Sequence, residues 1–231
     1  EHLRPTVGSS TRPALSESQE DYLKQILLLG DERTLVSTQR LADALDVRPA
    51  SVTEMVARLH DLGLVHRVPY RGVRLSEAGR LVALEMVRHH RLLETFLAEK
   101  LGYPWDQVHD EAERLEHVIS ERFEAQIAES TGHPTHDPHG DPIPAADLTM
   151  PAETRCRALT TLRDGAGGVV VRVSSQDPDS LTTLTRLNLG LGARVRFEGR
   201  RGDSVRVRVE DETLMLPASL AEHMWIEEVG P

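Results

Sequence analysis

The sequence has little of several features that would point to other classes of protein. Its single cysteine, Cys156, cannot form an internal disulfide, and residues 1–15 lack the charged-then-apolar pattern of a signal peptide, which together favour a reducing cytoplasm. No apolar run approaches the roughly 20 residues that a membrane helix requires. Aromatic residues make up only 3% of the chain, too few for a platform that stacks single-stranded nucleic acid. We therefore expect a cytoplasmic protein without a membrane span.

Charge is unevenly distributed along the chain. The net charge of −10 would by itself argue against a nucleic-acid partner. Residues 37–75, however, contain six basic residues against four acidic ones, a net charge of +2. Residues 106–153 contain two basic residues against twelve acidic ones, a net charge of −10. The first segment is suited to facing phosphates, and the second is suited to holding cations.

Residues 16–76 have the element order of a winged helix-turn-helix domain. Ser18 and Asp21 fit a capping box that begins the first helix, and Gly30 ends it. Three helices and then two short strands around a turn are predicted at about 18–30, 38–45, 49–60, 64–68 and 73–75. Residues 1–15 have no periodic apolar face and are predicted to be a disordered tail.

The rest of the chain is predicted to form a helical domain and a small β domain. Residues 77–145 include two long helices, at about 76–100 and 106–130. Five prolines and two glycines between residues 131 and 154 are typical of a linker. After this linker, apolar residues alternate between glycine-rich turns, so residues 146–231 are predicted to be the linker and a small β barrel. The fold class is therefore mainly α with a small β module.

Two of the predicted helices carry metal-ligand side chains on single faces. Four such residues share an arc of about 100° on a wheel of the helix predicted over 106–130. They are His109, Glu113, Glu116 and His117. His90 and Glu94 lie at i and i+4 on the preceding helix. These ligands are hard or borderline, which favours manganese or ferrous iron. A solvated acidic face and a simple helix ion pair remain the alternatives.

Four stretches of sequence resemble the diphtheria-toxin-repressor family of metal-dependent regulators, with its iron-dependent and manganese-transport branches. They are residues 52–59, 88–94, 108–120 and 140–144, which read VTEMVARL, RHHRLLE, VHDEAERLEHVIS and GDPIP. The resemblance implies a metal-binding and dimerisation domain in the middle and an SH3-like barrel at the end. It also implies a homodimer that a divalent ion activates for binding palindromic double-stranded operator DNA, mostly to repress metal-uptake genes. We expect one or two Mn²⁺ or Fe²⁺ ions per subunit and no enzymatic activity.

The resemblance implies two metal sites in each subunit. The primary site would take Asp21, Glu113, Glu116 and His117, and the ancillary site would take His90, Glu94, His109 and Asp177. Iron-type members have a methionine at the position of Asp21 and a cysteine at that of Glu113, whereas the manganese branch has carboxylates, as this chain does. The manganese branch also has a glutamate where this chain has Lys24. An ion held by Asp21 and the later ligands would clamp the first helix and shift a population of conformations.

The helix predicted over 49–60 is expected to enter the major groove of the operator. Its base-facing residues would be Ala50, Ser51, Thr53 and Glu54, and phosphate contacts would come from Arg48, Arg58, Arg67, Arg71 and Arg74. A helix cap or a phosphate contact fits Ser51 and Thr53 as well as base readout does.

Other interpretations of these residues stay open. His133, His136 and His139 recur every three residues, and this pattern is more typical of solvated loop histidines than of an extra metal-binding loop. A winged-helix regulator could instead sense a non-metal effector, in which case a chelator would leave DNA binding intact. A divalent-metal hydrolase is disfavoured because the sequence has no glycine-rich phosphate loop and no nucleophile elbow.

Overall fold

A computed structural model describes residues 15–30, 34–152 and 155–229. Of the tail predicted over residues 1–15, all but the last residue lies outside the described residues. The chain divides into two compact units, residues 1–86 and residues 87–231, and each is described by itself. None of the helices in the described part of the chain is both long enough and apolar enough to cross a membrane.

The first unit is a winged helix-turn-helix, as the sequence predicted. Its elements are α1 (Glu17–Leu29), α2 (Thr38–Leu45), α3 (Pro49–Asp61), β1 (Val65–Val68) and β2 (Gly72–Leu75). The two strands pair antiparallel, with Val65 opposite Leu75. Fully buried Leu23, Leu41 and Leu59, one from each helix, belong to a common core. The inner face of α3 is thereby fixed, which leaves its outer face exposed.

The capping box of α1 lies two residues earlier than predicted. Ser16 Oγ accepts a hydrogen bond from the backbone N–H of Gln19 at 3.3 Å, and Gln19 Oε1 accepts one from the N–H of Ser16 at 2.9 Å. This reciprocal pair satisfies two donors that the first helical turn would otherwise leave without partners. The assignment of the box to Ser18 and Asp21 is therefore wrong.

Three helices follow the β1–β2 hairpin, and the first two carry His90, Glu94, His109 and Glu113. They are α4 (Glu77–Leu101), α5 (Val108–Leu115) and α6 (Glu121–Ser130). The single helix predicted over 106–130 is wrong, because α5 ends at Leu115 and a separate helix, α6, begins at Glu121. Ser120 has an extended backbone (φ −89°, ψ 154°), and its side chain accepts from the N–H of Phe123 at 3.3 Å, which caps α6.

The segment of residues 131–152 is packed against α4 and does not behave as the predicted linker. Arg88 Nη1 donates to the carbonyl of Pro144 at 2.7 Å, and Arg91 Nη1 donates to that of Pro142 at 2.5 Å. Two long side chains of α4 thus satisfy backbone acceptors of a segment that has no regular structure. Proline and glycine predicted the irregular backbone correctly, but not its burial.

The last part of the chain is a six-stranded antiparallel sheet with two helices. The elements are β3 (Arg157–Ala158), β4 (Gly167–Val173), α7 (Pro178–Arg186), β5 (Arg194–Arg201), β6 (Ser204–Val209), β7 (Glu212–Pro217), α8 (Ala218–Ala221) and β8 (Met224–Glu228). The strand order is β3-β8-β4-β5-β6-β7, and within the described residues β3 and β7 do not pair, so the sheet is not closed. The predicted β module is confirmed, but as a small open sheet and not as the closed barrel that the sequence predicted.

Gly140 fixes the 131–152 segment close to β4. It has φ +85°, and a Cβ atom there would lie 2.1 Å from the carbonyl oxygen of Val171. The N–H of Val173 donates to the carbonyl of His139 at 2.8 Å in the same region. Gly132 has a similar φ of +75° but open space around it. Of these two glycines, only Gly140 combines a positive φ with a close approach of another strand.

Candidate metal centre

His90, Glu94 and His109 converge in the second unit. His90 Nε2 lies 3.0 Å from Glu94 Oε1 and 3.0 Å from His109 Nδ1, and His109 Nδ1 lies 3.3 Å from Glu94 Oε1. Ligand atoms of these three residues all lie within 4.8 Å of one another. His90 and Glu94 are one turn apart on α4, and His109 comes from the first turn of α5, so the cluster joins two helices.

Two carboxylates at the end of α5 extend this cluster. Glu116 Oε2 lies 2.6 Å from His90 Nδ1, and Glu116 is only 1% exposed. Glu113, which is more exposed, has Oε1 3.8 Å from His109 Nε2. Ligand atoms of His90, Glu113 and Glu116 also lie within 4.8 Å of one another. The carboxylates predicted for the primary site and the ligands predicted for the ancillary site therefore meet at His90.

His117 and Asp21 complete the set predicted for the primary site. His117 Nε2 lies 3.5 Å from Glu116 Oε1, with a side chain that is 10% exposed. The residue follows the end of α5, so the helical wheel that placed it beside Glu113 does not apply to it. Asp21 lies on α1 of the first unit, where it is half-buried and precedes buried Tyr22.

The hydrogen bonds of His90 make its ring a suitable metal ligand. The carboxylate of Glu116 accepts the Nδ1–H proton, so in the neutral ring Nε2 carries a lone pair. That lone pair faces Glu94 Oε1, another acceptor, at 3.0 Å. Metal-bound histidines commonly donate their second nitrogen to a carboxylate in this way. The donor set of imidazole nitrogens and carboxylate oxygens therefore fits a divalent cation.

Glu94 is a buried anion at the centre of these contacts. Burial alone would raise the pKa of Glu94, but the neighbouring imidazoles of His109, His139 and His90, when protonated, outweigh burial and hold the pKa of this carboxyl well below its usual range. The side chain has no measurable exposure. A buried carboxylate requires positive charge nearby, which protonated imidazoles or a metal ion can provide.

Asp177 lies apart from these groups. It is the N-cap of α7, where Oδ2 accepts from the N–H of Ser180 at 2.9 Å, and it is exposed. The side chain of Ser180, together with this capping hydrogen bond, lowers the pKa of Asp177. None of the metal-type groups among the described residues contains it. The sequence signal for this role was present: an Asp-Pro pair places proline at the first helical position. Its assignment as a ligand stays a prediction.

Two buried residues of the 131–152 segment were not assigned as ligands from the sequence: Asp137 was not considered, and His139 was interpreted as a solvated loop histidine. Asp137 and His139 have ligand atoms within 4.8 Å of each other and of Glu94. His139 is fully buried, so its interpretation as a solvated loop histidine is wrong, whereas His133 and His136 are exposed as that interpretation predicted. The closely spaced aspartate and histidine were the available signal, but the proline-rich composition masked it.

The outer face of α3 and the β1–β2 hairpin are exposed where DNA contacts were predicted. The exposed residues are Arg48, Ala50, Ser51, Thr53, Glu54, Arg58, Arg67, Arg71 and Arg74. The N-cap of α3 is Arg48, without a side-chain cap, so a capping role for Ser51 or Thr53 is wrong. Thr53 Oγ1 instead donates to the carbonyl of Pro49 at 3.1 Å, and Glu54 pairs with Arg58.

Comparison with known proteins agrees with this architecture. Residues 14–73 match the N-terminal DNA binding domain of iron dependent repressors, residues 76–145 match their metal binding and dimerisation domain, and residues 157–228 match the FeoA domain. Over 227 residues the chain is 33% identical to the iron-dependent repressor IdeR of Mycobacterium bovis, covering 93% of this chain and 99% of that protein. The chain belongs to the iron-dependent repressor family.

Further relatives of this repressor include a diphtheria toxin repressor and a manganese-dependent repressor. It is 37% identical over 226 residues to the diphtheria toxin repressor of Corynebacterium efficiens, covering 93% of this chain and 97% of that one. A solved structure, a manganese-dependent transcriptional repressor in complex with manganese, matches it with a TM-score of 0.85 and 40% identity, covering 91% and 100% of the two chains. The family inferred from the motifs is confirmed, and the protein is a metal-dependent DNA-binding repressor.

Proposed function

We propose that Mn²⁺ is the ion that activates this repressor, with Fe²⁺ as the alternative. The observation that carries the proposal is the convergence of His90, Glu94 and His109 with Glu116. Their nitrogen and oxygen atoms lie 2.6 to 3.3 Å apart, and several of these atoms can act as acceptors or metal ligands. Oxygen and nitrogen ligands without a thiolate suit manganese and ferrous iron. The carboxylates at Asp21 and Glu113, where the iron branch has softer side chains, favour manganese.

The ligands fall into two sets that share a contact between His90 and Glu116. We assign one ion to His90, Glu94 and His109, with Asp177 as a further ligand, and a second ion to Asp21, Glu113, Glu116 and His117. Each bound ion would supply positive charge that offsets repulsion among the carboxylates. The Nδ1–H group of His90 donates to Glu116 Oε2 at 2.6 Å, which fixes the orientation of the His90 ring. Loss of either residue should therefore weaken metal binding by both sets.

The same assignment provides a switch for DNA binding. Asp21 is the ligand supplied by α1, so metal binding would favour conformations in which the DNA-binding unit is held in one position. Linkage then requires operator DNA to tighten metal binding by the same factor by which metal tightens DNA binding. Equal Mn²⁺ affinities with and without operator would contradict the switch.

The target we propose is a palindromic double-stranded operator near metal-uptake genes, bound in the cytoplasm by a homodimer. The exposed N-terminal turn of α3 would read bases, with Ser51 and Glu54 at the groove. The hairpin arginines Arg67, Arg71 and Arg74 would contact phosphates. A two-fold symmetric dimer matches a palindrome because each protomer reads one half-site.

The test is retention of a random duplex DNA library by the purified protein at fixed salt. Four arms compare Mn²⁺, anaerobic Fe²⁺, chelator and the variant His109→Gln, with Glu129→Gln on the exposed face of α6 as the matched control. We expect retention of a palindrome in Mn²⁺, none in chelator, and a requirement for at least about tenfold more Mn²⁺ in His109→Gln. Equal DNA retention in Mn²⁺ and in chelator would favour a non-metal effector. Hydrolysis of a substrate by the metal-loaded protein, without metal-dependent DNA binding, would favour a hydrolase.

A further inference from the structure

A strongly positive segment lies in the β module of a chain that is acidic overall. Residues 194–208, which form β5 and most of β6, contain six arginines against two acidic residues, a net charge of +4. The whole chain has a net charge of −10. Neither the metal ligands nor the DNA contacts assigned above include these arginines, so their concentration here requires a separate explanation.

Three of the arginines lie on one face of the sheet. Arg196 lies directly opposite Arg208 in the β5–β6 pair, and Arg194 lies two residues before Arg196 on the same strand. Because side chains alternate between the two faces of a strand, all three lie on the face opposite buried Val195 and Val207. Like charges directly opposite each other destabilise a strand pair, and a negative group between them removes that cost.

Arg194 and Arg196 lack counter-charges within the sheet. On the other side of β5, Gly167 lies opposite Arg196, and Val169 lies opposite Arg194. Both arginines are exposed, and neither makes a side-chain hydrogen bond or an ion pair with another described residue. Their guanidinium groups are therefore available to a ligand.

The carboxylate of Glu198 on β5 is already shared by two arginines of β6. Its Oε1 accepts from Arg208 Nε at 2.6 Å, and its Oε2 lies 3.3 Å from Arg206 Nε. The Arg208 side chain is nevertheless 49% exposed. One carboxylate that serves two arginines leaves the charges of Arg194 and Arg196 uncompensated.

These side chains surround a cavity of about 770 Å³ over β4, β5 and β6. Gly167 and Gly168 of β4 also line it. A Cβ atom at Gly167 would lie 2.5 Å from the carbonyl oxygen of Val195, and one at Gly168 would lie 2.0 Å from that of Glu227, so both positions require glycine. The cavity floor therefore carries no side chain at these positions, and its volume is typical of small-molecule sites.

We propose that this cavity binds a phosphorylated small molecule through Arg194, Arg196 and Arg208. The planar guanidinium group of arginine matches the spacing of phosphate oxygens and binds them with two parallel hydrogen bonds. Three such groups on one face can contact two linked phosphates at once. A pyrophosphate group, free or carried by a nucleoside, is therefore the chemistry that the face fits.

Two glutamates of the same cavity favour a small molecule over a DNA duplex. Glu210 is exposed at the β6–β7 turn, and Glu228 Oε1 lies 3.4 Å from Arg157 Nη1, so only Glu228 has a basic partner. Carboxylates repel the continuous row of phosphates on a duplex. They can instead accept hydrogen bonds from hydroxyl groups, such as those of a ribose.

The experiment is calorimetric titration of the metal-free full chain with pyrophosphate, ADP and inorganic phosphate at about 0.15 M salt. Metal is removed because pyrophosphate would chelate Mn²⁺. Arg194→Gln and Arg196→Gln are compared with the control Arg200→Gln on the same strand. Arg200 is also exposed, but it lies opposite buried Val205 and does not line the cavity.

We expect pyrophosphate to bind more tightly than inorganic phosphate. Each of Arg194→Gln and Arg196→Gln should weaken pyrophosphate binding at least about tenfold, because each removes charge-assisted hydrogen bonds, whereas Arg200→Gln should change it less than about twofold. Glu210→Gln identifies the source of the phosphates. Weaker ADP binding in that variant, without weaker pyrophosphate binding, supports a nucleotide, and tighter binding of both supports free pyrophosphate.

Three results would overturn the proposal. The first is the absence of pyrophosphate and ADP binding at millimolar concentration. The second is an equal loss of binding in Arg196→Gln and Arg200→Gln. The third is a decrease of about one in the slope of log operator affinity against log salt in Arg196→Gln, which would make this face a DNA contact. A crystal structure of the wild type with pyrophosphate decides the matter even if a variant fails to fold, since the ligand must lie beside Arg196.

This test is independent of the proposed function. The titrations contain no metal and no DNA, so a failure of Mn²⁺-dependent operator binding would leave them unaffected. Pyrophosphate binding that depends on Arg194 and Arg196 would support the cavity site by itself.

Discussion

Arg88 links three parts of the second unit, and its removal should cost far more than that of a surface arginine. Its Nε lies 2.5 Å from Glu124 Oε1 on α6, and its Nη1 donates to the carbonyl of Pro144 at 2.7 Å. The two charged side chains are only 9% and 12% exposed. His89 Nε2 also contacts Glu124 at 3.1 Å, so the carboxylate would keep one partner.

These contacts set the expected magnitude for Arg88→Met. Breaking one side of a buried ion pair costs about 3–5 kcal/mol, and the partner that Glu124 keeps places this case at the low end, at about 3 kcal/mol of unfolding free energy. A double-mutant cycle with Glu124→Gln should give a coupling of about 2 kcal/mol. The exposed pair Arg114–Glu111, with side chains 73% and 34% exposed, should give less than about 0.5 kcal/mol.

The assay is urea unfolding in chelator, so that metal affinity does not contribute. Both tryptophans, Trp105 and Trp225, lie in the second unit, so their fluorescence reports on the unit that contains the pair. Far-UV circular dichroism provides the second probe for two-state behaviour. A coupling for Arg88–Glu124 that matches the surface pair would refute the argument that burial makes this link strong.

Three further predictions concern the backbone, the DNA contact and the response to acid. In urea unfolding, Gly140→Ala should lower the unfolding free energy by about 2 kcal/mol or more beyond the loss in Gly132→Ala. Both variants lose about 1–2 kcal/mol to left-handed backbone strain, but only a side chain at Gly140 meets the backbone of a strand. Equal losses in the two variants would contradict this. Arg71→Ala should reduce the slope of log operator affinity against log salt by about one, whereas Arg200→Ala on β5 should not, and an unchanged slope would reject a phosphate contact. A hydrogen bond from His89 lowers the pKa of Glu124 from 4.5; burial opposes this shift and Arg88 adds to it. The ionised Glu124 therefore stabilises the folded state at pH values above its unfolded pKa. This contribution is lost as the pH falls below about 4.5. Measured in chelator, the unfolding free energy of Glu124→Gln should therefore fall less steeply with decreasing pH than that of the wild type. Identical pH dependences in the two proteins would disprove this contribution of Glu124.

The winged helix-turn-helix could be predicted because its signals are local. Each helix and strand carries its own pattern of apolar residues: Leu23 and Ile26, for example, are buried on one face of α1. Even where the capping box was assigned two residues late, the element itself was correct. Errors of this size do not alter which face of α3 is exposed.

The break between α5 and α6 could not be recognised from amphipathic spacing. Residues 106–130 keep a helical apolar pattern, yet Ser120 caps a new helix, and His117 then faces Glu116 through a turn. The structure brings His109, Glu113 and Glu116 close to His90, but the angular position predicted for His117 was derived from a helix that does not extend that far. Spacing identified candidate ligands more reliably than it identified their directions.

Burial of the 131–152 segment depends on partners distant in sequence. Its carbonyls are satisfied by Arg88 and Arg91, about 50 residues earlier in the chain. Composition reports that a backbone is irregular, whereas burial depends on whether other elements can satisfy its polar groups. For this reason Asp137 and His139, which lie in a typical linker composition, could not be recognised as buried.

The hydrogen bonds of two histidines explain why a cation suits the region around Glu94. His90 gives its Nδ1–H to Glu116 and directs Nε2 toward Glu94 Oε1, while His139 gives its Nε2–H to Trp105 and directs Nδ1 toward Glu94 Oε2. When both rings are neutral, each oxygen of the Glu94 carboxylate faces a nitrogen lone pair. Two hydrogen-bond acceptors that face each other in this way repel. A proton or a metal ion relieves that repulsion, and the same residues that create it hold the lone pairs in place to bind either one.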